Sequence, residues 1–178
     1  VAPVGASGFT LLEIAVVIFI MGLVMSLVIP YFGGLHDSEL KSEARQLAGR
    51  ASYLYDAASS QRVIYRITFD LDHNTYFVTR LDPYAPNPKF ALFTGLWGRQ
   101  IVMPPGVELR DVAVEGIGIV RTGSISCQFY PDGYADATVI HMATVGGRVL
   151  TLSIHALTGS VSIMSGDVPP ATALAMAQ

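Results

Sequence analysis

The chain predicts an α+β fold, in which one long N-terminal helix packs on antiparallel β-sheets. Three patterns lead there. Residues 9–34 are apolar but for Thr10, Ser26 and a few glycines, and Glu13 is their single charge. Residues 35–59 repeat apolar side chains every three or four positions, the mark of an amphipathic helix. Beyond Arg62 the chain breaks into short runs of alternating polarity, separated by Gly, Pro, Asn and Asp.

The first element is an apolar helix of membrane length. No residue from Ile14 to Leu35 carries a formal charge, and about 20 apolar residues span a bilayer. Within it Glu13 stands out, because a carboxylate costs about 2.5–3.5 kcal/mol near a bilayer centre and less at an interface. An acid held in such a segment points to a function. Gly22 and Pro30 interrupt the helix: Gly22 weakens its own turn, and Pro30 removes a backbone donor and crowds the carbonyl of residue 26. Three readings of this segment compete. A cleaved secretory signal would end near Val28-Ile29-Pro30-Tyr31-Phe32, a poor peptidase site although Gly33-Gly34 follows. A plain single-span anchor accounts for the length but not for Glu13. The third reading places a processing site before the apolar run, between Gly8 and Phe9.

The second half of the helix carries an apolar stripe of Leu35, Leu40, Ala44, Leu47, Ala48, Ala51, Leu54, Tyr55 and Ala58. Glu39, Lys41, Glu43, Arg45 and Arg50 fall largely on other faces, so this stripe is expected to pack on the chain's own core. Strands are then expected at Arg62–Phe69 and Thr75–Leu81, joined by Asp70-Leu71-Asp72-His73-Asn74. Further strands are expected at Val107–Val114, Gly118–Arg121, Ser124–Tyr130, Ala137–Thr144, Arg148–His155 and Ser160–Met164. Pro131-Asp132-Gly133, Val145-Gly146-Gly147 and Leu157-Thr158-Gly159 supply turns between the later ones. Short connections of this kind favour antiparallel pairing. Residues 82–105 hold five prolines and Trp97, and read as a long loop with a short element near Phe90–Trp97. Residues 165–178 read as a flexible tail.

Composition narrows the function. With 178 residues there is room for one membrane segment and one domain of ordinary size. Net charge is only −3, and the eleven basic residues are scattered from Lys41 to Arg148, so no nucleic-acid footprint is present. Cys127 is the single cysteine, which excludes an intramolecular disulfide. It shares a strand face with Ile125 and Phe129 and reads as a buried hydrophobe rather than a reactive thiol. An exported domain without disulfides stays allowed.

Gly8-Phe9-Thr10-Leu11-Leu12-Glu13, followed by the apolar helix, resembles the prepilin motif of type IV pilins and pseudopilins. The resemblance implies a pilin fold with residues 1–8 as a leader peptide, cleavage by prepilin peptidase between Gly8 and Phe9, and N-methylation of Phe9. It makes residues 9–34 the transmembrane and filament-core helix. Residues 35–164 then form a periplasmic globular domain, with helix at 35–59 and β-sheets at 62–164. Glu13 is expected to pair with the freed amine of a neighbouring subunit, and Gly22 and Pro30 to loosen the helix during assembly or simply to kink it. The leader departs from the usual pattern in having no Lys or Arg. Lys41, Arg45 and Arg50 lie beyond the span, and the positive-inside rule alone would place that side in the cytoplasm, opposite to the motif.

Further along, Arg45-Gln46-Leu47, Ser124–Tyr130 leading into Pro131-Asp132-Gly133, and Thr158-Gly159-Ser160-Val161 resemble the H-type minor pseudopilins of type II secretion, the GspH/FimT-type family. That likeness implies a structural, non-enzymatic subunit near the tip of the periplasmic pseudopilus, anchored by one pass in the inner membrane. Its partners would be other minor pseudopilins and the major pseudopilin. A minor pilin of a type IV pilus, serving initiation, adhesion or DNA uptake, is the alternative. An anchored periplasmic enzyme or binding module, and a soluble domain freed by signal cleavage, are rivals of other classes.

Catalytic and cofactor chemistry is not expected. Asp70–Asn74 lacks the glycine and the closing glutamate of a calcium loop. Asp132 and Asp136 flank a turn, but two acids alone do not make a cation site. His36, His73, His141 and His155 share no metal-ligand spacing, and no nucleophile motif frames a serine.

Overall fold

The computed structural model describes residues 9–95 and 99–175, with the side chains of 27–35 set aside. Its elements in order are α1 (Leu11–Gln61), β1 (Ile64–Asp70), β2 (Thr75–Leu81), β3 (Ala91–Leu92), β4 (Ile101–Val102), β5 (Val107–Val114), β6 (Gly118–Val120), β7 (Ser124–Tyr130), β8 (Tyr134–Ala135), β9 (Thr138–Thr144), β10 (Val149–Ile154), β11 (Val161–Ser165) and α2 (Pro170–Ala175). The chain divides into two compact units between Leu35 and His36.

In the second unit α1 buries Leu40, Ala44, Leu47, Ala51, Leu54 and Ala58, alternating steps of four and three. Each of the three leucines is fully enclosed, and burial of such a side chain contributes about 1.5–3 kcal/mol. The helix ends where Arg62 turns left-handed at φ 55. The Val63 amide then donates back to the Ala58 carbonyl at 3.2 Å, and both side chains are buried, which is a Schellman ending with an arginine in the usual glycine place.

Two antiparallel sheets complete this unit, one in the order β3-β2-β1-β7-β8, with β4 also on β2, the other β11-β10-β9-β5-β6. Their inner faces share a single core with α1: Tyr65, Ile67, Phe69, Tyr76, Cys127 and Phe129 from the first sheet, and Leu109, Val112, Ile140, Met142, Leu152 and Ile154 from the second. Asn74 ties one sheet to the other. At φ 53 it turns the β1–β2 hairpin, and its amide donates to the Val107 carbonyl (2.7 Å) while accepting from the Leu109 amide (2.8 Å).

The expected strands Thr75–Leu81, Val107–Val114 and Ser124–Tyr130 are found at those bounds, and the others shift by a residue or two. Residues 82–105 are mostly irregular, as expected, but two short pairings fasten them to β2: Ala91 and Leu92 on Arg80 and Thr79, Ile101 and Val102 on Tyr76 and Thr75. Phe93 stands edge-on to Tyr65 (5.4 Å between ring centres), and Phe90 lies under the Arg66 guanidinium at 3.4 Å. Trp97 falls outside the described residues. Residues 165–175, expected as a flexible tail, instead dock on the second sheet and include α2, with Ala173 fully buried. Short polar and small side chains give no periodic signal, so this docking was not visible in the sequence; 176–178 lie outside the described residues.

Candidate assembly elements

Helix α1 starts with a cap. Thr10 precedes α1, and the Glu13 amide donates to the Thr10 carbonyl (3.0 Å) and to its hydroxyl (3.3 Å). Thr10-Leu11-Leu12-Glu13 thus has the Ser/Thr-x-x-Glu spacing of a capping box, and the acid also sits in the first turn, where the helix dipole favours a negative charge. Thr10 was not singled out from the sequence, although that spacing could have marked it.

Every described side chain from Phe9 to Ser26 is exposed, with Phe9 77% and Leu11 91% accessible. An apolar surface of this extent needs lipid or protein to cover it. Glu13 lies on it with no ion pair among the described residues. Among the described residues, a Cβ on Gly22 would meet nothing within 4 Å. Pro30 falls within the bounds of α1, but its side-chain surroundings lie outside the described residues, as does Gly8. Among the described residues no helix is long and apolar enough to cross a membrane.

In the second unit several of the polar residues weighed from the sequence bond to the backbone or to neighbouring side chains. Asp70 accepts from the backbone amide of His73 (3.2 Å) and meets its ring at 2.9 Å, which holds the carboxylate below its ordinary pKa; Asp72 accepts from the Gly123 amide (3.0 Å). Asp136 accepts from the Gln128 amide (2.9 Å) and the Tyr130 hydroxyl (3.3 Å). Burial, reinforced by the Asp136 charge, pushes the Tyr130 phenol up to about 12. Burial likewise pushes the Cys127 thiol up to about 12, which suits a packed hydrophobe and not a nucleophile. His36 faces Glu39 and His155 faces Ser162. Among the described residues no group of three or more His, Cys, Asp or Glu could hold a metal ion.

One cluster has no counterpart in the sequence reading. A register shift between Leu109 and Asp111 breaks the alternation of β5. Without the extra residue, Asp111 would face the same core as Leu109; with it, Asp111 turns to the outer face, opposite His141 on β9. The two buried side chains meet at 2.6 Å, and Arg110, at the bulge, reaches Asp111 (3.2 Å) and Asp167 (2.8 Å).

No family model and no curated protein sequence matches the chain. Two solved structures of the minor pseudopilin EpsH from the type 2 secretion system of Vibrio cholerae are similar to it. One aligns with TM-score 0.58 at 12% identity over 74% of this chain and 99% of that one. The other aligns with TM-score 0.57 at 12% identity over 74% and 98%. The chain has the fold of a minor pseudopilin: a helix packed on antiparallel sheets in the arrangement that those structures share.

Proposed function

We propose that the protein is a structural minor pseudopilin of a type II secretion system, without catalytic activity, that joins the periplasmic pseudopilus near its tip. The observation that carries this reading is the pairing of a minor-pseudopilin fold with an exposed apolar stretch, Phe9–Ser26, whose one charge, Glu13, lies in the first turn of α1. Cleavage between Gly8 and Phe9 would free an α-amino group on Phe9, which would then be N-methylated. Glu13 of one subunit and the Phe9 amine of the next would each be costly alone in an apolar layer, and they offset one another when they meet. Residues 9–34 would hold the unassembled subunit in the inner membrane, with the sheets in the periplasm. Its partners would be prepilin peptidase, the other minor pseudopilins and the major pseudopilin.

Gly22 and Pro30 would loosen the helix during assembly, since a glycine weakens its own turn and a proline removes a backbone donor. Two measurements test the reading. Mass spectrometry of the protein from membranes is expected to find a mature chain that starts at methylated Phe9, and cleavage that survives Gly8→Trp would overturn that assignment. Glu13→Ala is expected to leave processing intact while reducing co-purification with the other pseudopilins by about tenfold or more, the loss of one buried charge partner. Normal recovery in filaments would sink the pairing.

A further inference from the structure

The outer face of the second sheet carries two rows of side chains across three strands. Register sets Asp111, His141 and Thr151 in one row and Ala113, Val139 and Ser153 in the next. All six are buried, covered by residues 166–175. Three of the polar ones, Thr151, Ser153 and His141, read peptide backbone. The Thr151 hydroxyl donates to the Gly166 carbonyl (2.8 Å) and accepts from the Val168 amide (3.1 Å). The Ser153 hydroxyl donates to the Ala173 carbonyl (3.0 Å). His141 Nε2 lies 2.9 Å from the Val168 carbonyl, and Asp111 holds the other side of the ring at 2.6 Å.

Apolar contact here is small and separate. Ala113, Val139 and Ala173, with Met164, Val168 and Leu174 around them, form a cluster apart from the main core. Lifting the segment would therefore leave the main core closed. Gly166 at φ 96 gives a hinge at the exit of β11, while Pro169 and Pro170 stiffen the segment and lower the entropy lost on docking. The Arg110–Asp167 pair sets the register along the groove.

We propose that this face is a peptide-docking groove, that residues 166–175 are its exchangeable occupant, and that the same segment of a second copy can take their place. Four backbone contacts and a fit for small side chains define what the groove accepts, and the segment from another copy meets them all. Exchange of an identical element between two copies is a low-cost route to a dimer. The inference rests on the sheet alone and stands whether or not the filament reading holds.

The test uses the full chain with Val168→Pro, which removes the amide that donates to Thr151, one of the four backbone contacts, and so loosens the native occupant. A labelled peptide of residues 166–175, standing for the second copy's segment, is then titrated by fluorescence anisotropy. It is expected to bind the Val168→Pro chain, and to bind at least about tenfold more weakly when Thr151→Val is added, because two hydrogen bonds to the backbone are lost. The unaltered chain, its groove filled, is expected to bind it more weakly than the Val168→Pro chain. Absence of binding to the Val168→Pro chain, equal binding of a scrambled peptide, or failure of that chain to fold by circular dichroism would each overturn the proposal.

Discussion

Tyr55 shows how much one side chain can carry in this domain. From the flank of the buried helix stripe, its hydroxyl points at the carbonyls of Gly133 (2.7 Å) and Leu157 (2.6 Å), one in a turn of each sheet. Gly159 lies under its ring at φ 62, and a Cβ there would collide with the ring. Tyr55→Phe is expected to cost about 1 kcal/mol in urea unfolding, one net hydrogen bond. Gly159→Ala is expected to cost about 1–3 kcal/mol, from the collision together with the left-handed backbone. Arg62 is the opposite case. It closes α1 in a conformation that costs an L-residue roughly 1–2 kcal/mol, so Arg62→Gly is expected to stabilise by about 0.5–1 kcal/mol after the entropy lost by glycine. Cys127, with its thiol pushed up to about 12, is expected to resist a thiol reagent at pH 8 until the protein is unfolded.

Among the secondary-structure elements, α1 does two jobs with two surfaces. Its stripe from Leu40 to Ala58 is closed by the sheets, and Leu47→Ala is expected to cost about 2–5 kcal/mol, the range for a large-to-small change in a sealed core. Its apolar surface from Phe9 to Met25 stays open, so changes there are expected to alter membrane or filament association and leave unfolding of the sheets unchanged. The loop of residues 82–105 is held by two two-residue pairings on β2 and by Phe90 and Phe93, which explains how a proline-rich segment stays on the sheet.

Taken as a fold, the second unit is one core with a strap on its outside, and acid should act on the two unequally. The Arg110 guanidinium hydrogen-bonds Asp167 and holds its carboxyl below the ordinary 3.8. A depressed carboxylate contributes stability that is complete above the unfolded value and lost as pH falls through the folded one. The strap is therefore expected to loosen below about pH 4, before the core opens. Hydrogen exchange at pH 3 should show faster exchange in residues 166–175 than in β9 or β10; equal protection would contradict this division.

Much of this architecture was legible beforehand because it is local. The three-and-four spacing of residues 40–58 specifies a helix face, and alternation bounded by Asp70–Asn74 or Pro131-Asp132-Gly133 specifies strands and turns, whatever lies elsewhere in the chain. The charge of Glu13 within an apolar stem was readable for the same reason. The Asp111–His141 pair was not, since an unannounced bulge decides which way Asp111 faces and its partner lies 30 residues away. Nor was the docking of residues 166–175, whose hold depends on Thr151, Ser153 and His141 meeting backbone atoms that carry no side-chain pattern. Periodicity along a chain tells each element which face is greasy, but only folding brings distant polar groups within hydrogen-bond reach and so settles what covers that face.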